Sequence, residues 1–414
     1  MRPLAALALA LFLLFVPASA GAVTTADTPD PTWMVEGSRV QDIVATDERV
    51  FVGGEFDQAI PAVGEIGVPA TNLLAFDAST GSPAWVQTVG SASGTRSKVW
   101  DIDLSGNGQT LLVCGEFESV GGEERSNVAA VDAMTGNVLA WAPAMPVCRS
   151  IERRGGMVFA GSGRSVRALG ADGSTAWVSP TDGPVLTLET SEAALYAGGR
   201  FSHVGAAARP LVARIDPLNG TVDTTWGLDP VPATNAGEGA FAIDLMVRGG
   251  TLFLGAGGAD YAARFDLDTG GLAWWRDTSG SVQKLELVGD TLVLGGHFQW
   301  VADDDTMECG TNQAPVETCS PRMRLAAVDA RTGHLDAWAP RVTGAYTGVW
   351  ALDLDAMDRL HVGGGFSEIG GVEQHDYARL SVRTAGACMK DIPPDPRRDR
   401  AAREPDRRRA RRLP

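Results

Sequence analysis

Two phrases nearly two hundred residues apart, VAAVDAMTGNVLAW and LAAVDARTGHLDAW, constrain this chain more than any other feature. Each closes a unit that contains an apolar strand running into Gly-Gly-x-Phe, as in VFVGGEF, LYAGGRF, LVLGGHF and LHVGGGF. Self-similarity at a period of a few tens of residues means stacked supersecondary units, none of which buries its apolar face alone. An alternating strand such as VWDIDL, AFAIDL or VWALDL comes first in each unit, and the Gly-rich strand follows. A third strand enters Asp-x-x-Thr-Gly and leaves to a Trp. Period-two alternation broken by Gly and Asp is a strand-and-turn pattern, and the absence of a 3.6-residue period excludes helical repeats.

The units can be counted in two ways. Gly-rich strand ends fall at Gly53-Gly54, Cys114-Gly115, Gly161, Gly198-Gly199, Gly255, Gly295-Gly296 and Gly363-Gly364, which makes seven. The Trp series (Trp33, Trp85, Trp141, Trp177, Trp226, Trp274, Trp338) also numbers seven, but starts before the first Gly-rich strand. The last unit, ending YARLSVRTAGACM, lacks the Asp and Trp of the turn. A ring explains both loose ends, because an N-terminal strand then completes the last unit and no sheet edge is left open. The sequence therefore predicts an all-β, seven-bladed β-propeller over residues 30–388, closed by an N-terminal strand. Trp spacings of 36 to 64 residues fit four strands per blade. A β-solenoid is the competing architecture, but its coils are shorter. The third unit, VFAGSGRSVRALGADGSTAW, lacks Phe and Thr and is expected to be small. The sixth carries an insertion, WVADDDTMECGTNQAPVETCSPRM.

Each recurring residue has a structural reason to recur. Gly54, Gly115, Gly199, Gly296 and Gly364 allow positive φ or close backbone approach, and leave room for Phe56, Phe117, Phe201, Phe298 and Phe366 to pack on the adjoining blade. Asp and Thr of the turn can bond local N–H groups while its Gly takes the left-handed position. Each Trp buries a large apolar body and needs an acceptor for its indole N–H.

Residues 1–20 read as a secretory signal: Arg2, the run LAALALALFLLFV, then Ala18-Ser19-Ala20. Residues 21–29 read as a linker, and no later run is long enough to span a bilayer. A secreted monomer is the expectation. Residues 389–414 form an Arg-rich tail expected to be disordered. Nine Arg and five acidic residues lie within 391–414, so the net charge of −16 conceals a strongly acidic body, which argues against nucleic acid as a partner. Five cysteines in an exported chain suggest disulfides. Cys309 and Cys319 flank one loop and are expected to pair; Cys114 and Cys148 could pair, and Cys388 is odd.

The phrases GGGFSEIGG and LAAVDARTGHLDAW resemble the delta-sixty-type propeller repeat of secreted bacterial proteins. Their turn-to-Trp half is similar to the tryptophan-docking repeat of quinoprotein and outer-membrane-assembly propellers. The resemblance covers roughly residues 30–385 and implies a propeller without implying an activity. Quinoproteins usually have eight blades and adjacent cysteines at the cofactor; this chain has no adjacent Cys pair, so no cofactor is expected.

No HExxH, P-loop, nucleophile elbow or CxxC occurs. GAGGAD at 255–260 has some glycines of a nucleotide loop but no helix to follow them. His203, His297, His334, His361 and His375 sit at different repeat positions. Asp303, Asp304, Asp305 and Glu308 form an acidic loop of the kind that could ligate calcium. Trp100, Phe241 and Trp350 are large aromatics where a channel should open, suited to blade packing or to a pocket floor. Asn219-Gly220-Thr221 matches a glycosylation sequon but reads as turn chemistry. The function expected is a non-enzymatic extracellular or cell-surface module that binds a protein or glycan. The alternative is an exported propeller enzyme (hydrolase, lyase or oxidoreductase) with its site at the channel mouth.

Overall fold

The computed structural model describes residues 23–63, 66–91, 96–232, 239–305, 308–312, 314–315, 318–344 and 348–384. The expected signal segment, the Arg-rich tail and Cys388 lie outside them. Every regular element among the described residues is a strand. Each repeat unit forms an antiparallel sheet, and the first unit's sheet runs on into Ser119–Val120 and Glu123–Glu124 of the second. The first unit pairs Met34–Ala45, Arg49–Ile60, Asn72–Asp77 and Pro83–Gly90 in order. The third runs Cys148–Arg154, Met157–Ser162, Ser165–Leu169, Thr175–Pro180, and is complete despite the missing Phe and Thr. Its expected smallness is therefore corrected: Asp172 takes the Ser174 N–H and hydroxyl in place of the usual turn. The fifth unit, from Phe241–Arg248 to Leu272–Asp277, also has four strands.

The second, fourth and sixth units depart from the four-strand expectation. Their sheets hold three strands each, and the fourth segment touches only at single bridges, Val131–Val138, Ile215–Val222 and Val328–Leu335. Proline supplies the reason. In these units the Trp is soon followed by Pro143, Pro230 or Pro340, which cannot donate to a ladder. In the fifth unit no proline interrupts that segment, in the first Pro83 stands only at the strand's first residue, ahead of Trp85, and in the third Pro180 comes only at the strand's last residue.

The last unit pairs Gly348–Leu354, Arg359–Gly365 and Tyr377–Thr384, and its outer position is filled by Val23–Thr25 from the N-terminus. The register is antiparallel, Val23 opposite Thr384 and Thr25 opposite Val382. The Asp30 and Val35 amides continue it by donating to the Arg379 and His375 carbonyls. The stretch 21–29 expected as a linker thus contains a strand, because the last sheet offers it an unpaired edge.

Successive units are joined in two recurring ways and, once, by a covalent bond. The first is the Trp. Trp85, Trp177, Trp226 and Trp274 each donate the indole N–H to a carbonyl in the next unit's Asp-x-x-Thr-Gly turn or its counterpart: Ala133, Pro217, Leu267 and Ala330, at 2.9–3.1 Å. Each also packs on an aromatic of its own second strand, Phe51, Phe159, Tyr196 or Phe253. The turn glycine is what admits the ring. A Cβ on Gly136, Gly220 or Gly333 would stand 2.6–2.8 Å from Trp85, Trp177 or Trp274, and all three have positive φ. Trp338 is the informative exception: its indole N–H is buried without an acceptor, and the unit after it is the one lacking the turn.

The second joint is the Gly-rich strand. None of the paired glycines named above has positive φ; they serve close approach. The first of each pair receives a side chain from the next unit's first strand. An added Cβ would meet Val99 at 2.6 Å from Gly53, Ala242 at 2.9 Å from Gly198 and Val349 at 2.7 Å from Gly295. Gly363 of the last unit meets Val40 of the first at 2.5 Å in the same way. The second glycine lies against a first-strand carbonyl of its own sheet, with Phe56, Phe117, Phe201, Phe298 and Phe366 buried beside it. The third joint is covalent: Cys114 and Cys148 bond the second unit to the third across 34 residues, worth about 3–4 kcal/mol on loop entropy.

The Trp joint makes a testable difference between two turn glycines. Gly333 and Gly108 have similar φ, +70 and +68, but a Cβ on Gly108 meets nothing within 4 Å. Gly333→Ala should cost about 1–3 kcal/mol more than Gly108→Ala, measured by denaturant melting. Equal costs would mean that the Trp joint is slack.

Candidate functional site

The first strands of neighbouring units pack side by side, and each contains a bulge at the same place, with two further register shifts in Met34–Ala45. Register shifts leave Gln41, Trp100, Arg149, Leu186, Ile243, Gln283 and Trp350 as the extra residues. The sequence carries the signal in its apolar spacing. Core residues are three apart instead of two, as in Val40 and Ile43, Val99 and Ile102, Val349 and Leu352. A bulge re-aims side chains and is frequent beside functional sites.

The residue after the bulge points at the next unit. Asp42 accepts the Ile102 N–H at 3.1 Å, Asp101 that of Ile151 at 2.7 Å, Ser150 that of Leu188 at 3.0 Å and Asp244 that of Leu285 at 2.9 Å. Two residues on, Asp103 accepts from Arg153 at 2.7 Å, and Asp353 of the last unit accepts from Ala45 of the first at 2.6 Å. Lys284 sits among these carboxylates with its Nζ 3.1 Å from Asp42. Burial alone would lower its pKa, but Asp42, Asp244 and Asp101 together hold it well above the usual lysine range. Burial raises Asp244 to about 6, and burial with the neighbouring Asp42 charge raises Asp101 well above the carboxylate range. The cluster is a set of braces with a neutralising ammonium, since its acceptors are already committed to amides.

At the end where the first strands begin, three cations lie over three aromatics. Arg149 covers Trp100 at 3.9 Å, Arg200 covers Phe241 at 4.0 Å and Arg39 covers Trp350 at 5.4 Å. Lys98 adds a second contact to Trp100 at 4.7 Å. Each Arg–aromatic stack joins adjacent units. Burial lowers the Arg149 pKa, with Glu116 opposing. Beside Arg200 an open cleft of about 550 Å³ is lined by Asp182, Phe201, Ser202, Gly239 and Ala240. The sequence singled out Trp100, Phe241 and Trp350 but missed their arginines, which occupy no shared repeat position.

Ser202, His203 and Asp182 meet near this cleft without forming a catalytic relay. Ser202 Oγ and Asp182 Oδ2 both contact His203 Nδ1, at 2.9 and 3.1 Å, and Ser202 Oγ bonds Asp182 directly. A relay needs the two ring nitrogens on different partners. The other histidines are dispersed: His361 is buried between Asp355 and Tyr377, His375 meets Glu373, and His334 lies in a turn. His297 contacts Gln283, and its pKa is lowered by burial. Among the described residues no group of three or more His, Cys, Asp or Glu is placed to hold a metal ion. Asp303, Asp304 and Asp305 supply negative field to Arg276, and Asp303 to Arg322 as well; Asp303 also accepts the Ser320 hydroxyl at 2.7 Å. Glu308 is exposed. GAGGAD ends one strand and turns into the next, and Asn219 braces its own turn through Asp216 and Thr221.

Cys309 and Cys319 are bonded and pin the sixth-unit loop over Asp277. Asp277 is 0% exposed; one oxygen accepts the Cys309 N–H at 2.6 Å and the other has no partner. Burial raises its pKa to about 7, opposed by the Cys309 N–H and reinforced by the Glu308 and Asp260 charges. The folded state therefore keeps a proton that the unfolded chain releases near pH 4, so this group's stabilisation is complete below pH 4 and is lost as pH rises to 7. Wild-type stability minus that of Asp277→Asn should fall by a few kcal/mol from pH 4 to pH 8, read from paired melts. A flat difference would contradict the buried, under-bonded carboxyl.

Sheets of three or four antiparallel strands, joined first strand to first strand and sealed by Trp on the neighbouring turn, define a β-propeller protein. The fold is similar to that of the RRP9 WD40 repeats, with a TM-score of 0.57 at 13% identity over 87% of this chain and 100% of theirs. The computationally designed Ika8 protein matches with a TM-score of 0.50 at 13% identity, over 85% and 99%. BamB from Moraxella catarrhalis matches with a TM-score of 0.47 at 14% identity, over 86% and 99%. No curated protein matches the chain. The family described as outer membrane protein assembly factor BamB matches residues 70–297, more than half of the 414 residues, and the chain belongs to that family. No helix among the described residues is long and apolar enough to cross a membrane.

Proposed function

We propose that this chain is an exported, non-enzymatic propeller of seven blades, closed by its N-terminal strand, that binds a protein partner at the mouth where the first strands begin. Export is supported by the signal-like residues 1–20 and by two disulfides. Closure is supported by three contacts between the last and first units that repeat those between other units: Gly363 on Val40, Asp353 on the Ala45 amide, and packing of Gly348–Leu354 against Met34–Ala45. The repeat phrases are in keeping with the delta-sixty type.

The observation that carries the binding reading is the set of three arginine-on-aromatic stacks at one end of the strands. Arg and Trp are the residue types that dominate protein interfaces, and a half-buried planar pair loses little side-chain entropy when a partner covers it. The titratable clusters elsewhere are absorbed into braces and turns. A family described as an assembly factor is in keeping with a protein partner.

A photo-crosslinking residue at Arg200, in the export compartment of the producing cell, should give discrete protein adducts. The same residue at Arg331, in a turn at the opposite end of the strands, should give few. Equal yields at both positions, or none at Arg200, would contradict the mouth as the binding face.

Closure has its own test. A chain begun at residue 39 loses the Val23–Thr25 pairing and the half-buried Trp33, and opens two edges. It should melt lower and aggregate, while Trp33→Ala should do less harm because the backbone pairing survives. A truncated chain that stays monomeric with an unchanged melting temperature would rule closure out.

A further inference from the structure

Unused donors are found at the mouth, as at several other places in the molecule. Three buried side-chain nitrogens there have no hydrogen-bond partner: Nε of Arg39, Nε2 of Gln41 and Nε1 of Trp100. Gln41 is only 5% exposed. Gln41 and Trp100 are the bulge residues of adjacent first strands, and Arg39 lies two residues before Gln41. Arg149 is the bulge residue of the next first strand and stacks on Trp100. Among the described residues neither Arg39 nor Arg149 is paired with a carboxylate, in a protein whose acidic residues outnumber its basic ones 51 to 35.

The nearest acids are already engaged. Glu55 holds Arg96 at 3.0 Å, and Glu116 faces Lys98 at 3.7 Å while its charge also acts on Arg149. Asp42 and Asp101, one step deeper along the strands, are committed to the Ile102 and Ile151 amides, and Asp42 also to Lys284. Buried polar groups without partners are rare in folded proteins and call for an explanation. Here every orphan is a donor, so what satisfies them must be an acceptor. Two guanidiniums beside them select an anion, and the planar fork of Arg suits a carboxylate.

Resting on the protein-binding reading, we propose that the mouth recognises an Asp or Glu carboxylate on an acidic segment of the partner, received by Arg39, Gln41, Trp100 and Arg149. The carboxylate takes two charge-assisted bonds from the guanidiniums and neutral ones from the amide and indole. The aromatic faces hold the arginines in place, so little ordering remains to be done on binding. Entry of one acidic residue past the surrounding acidic surface makes recognition local and not driven by overall charge.

The test uses the mature chain with two capped peptides, Gly-Glu-Glu-Glu-Gly and Gly-Gln-Gln-Gln-Gly, and inorganic phosphate, read by titration calorimetry and Trp fluorescence. The Glu peptide should bind at least tenfold more tightly than the Gln peptide. Arg39→Gln and Arg149→Gln should each weaken it about tenfold, Trp100→Phe should weaken it less, and Arg331→Gln should leave it unchanged. Melting curves establish that each variant is folded, and Arg39→Lys, which keeps the charge but loses the fork, serves as the milder second variant. Equal binding of the two peptides, binding of neither at millimolar concentration, indifference to both Arg substitutions, or phosphate binding tighter than the Glu peptide overturns the proposal. Adducts from position 200 that persist in Arg39→Gln and Arg149→Gln would sink the carboxylate and spare the protein-binding reading. Glu-peptide binding without any adduct would do the reverse.

Discussion

The whole architecture depends on one contact: a Trp from one unit seated on the glycine turn of the next. It joins three requirements in one place. The ring hides a large apolar body, its N–H finds a carbonyl, and the turn glycine leaves space for the stack. The local turn is itself fixed by Asp and Thr, so a chemically rigid platform is ready before the Trp arrives. Because the acceptor belongs to the neighbour, no unit is complete alone, and stability is shared along the chain. Where the neighbour lacks the turn, the Trp stays buried but its N–H goes unsatisfied, as at Trp338.

A second layer of order lies on the inner side. In four of the seven first strands the residue after the bulge, Asp42, Asp101, Ser150 or Asp244, accepts the next unit's amide, and the carboxylate braces arise from that geometry. These acids look like a site when read as a list of charges. Their geometry says otherwise, since each named Asp already accepts a backbone N–H. The arginine-lined mouth is the converse. Gln41, Trp100 and Arg149 are bulge residues too, but they contribute to no brace, and the donors of Arg39, Gln41 and Trp100 are left over.

Much of this was legible in the residues themselves. The Gly-rich strands, the turns and the Trp series give the unit, its order and its dependence on a neighbour, because each rests on backbone chemistry that recurs. The three-stranded units were also readable, from Pro143, Pro230 and Pro340, but strand counting by Trp spacing passes over them. The third unit looks eroded because two motif residues are missing, yet its strands keep their alternation, and alternation builds a sheet. The mouth could not be found in this way. Arg39, Arg149 and Arg200 each reach their aromatic only through the lateral packing of separate units, which no local spacing encodes. The three-residue apolar step of the first strands marks where to look, without saying what lies there.

If the proposed ring closes, the bond from the last unit to the first is equivalent to the bond from the second unit to the third. Native-state hydrogen exchange reads this directly at two equivalent amides. Arg153 is bound by Asp103 of the unit before it, and Ala45 of the first unit by Asp353 of the last. In a closed, cooperative ring both amides should exchange only through global opening, with equal protection that falls together as denaturant is added. An Ala45 amide exchanging orders of magnitude faster than that of Arg153, by local opening insensitive to denaturant, would mean an open array whose first and last units merely lie near each other.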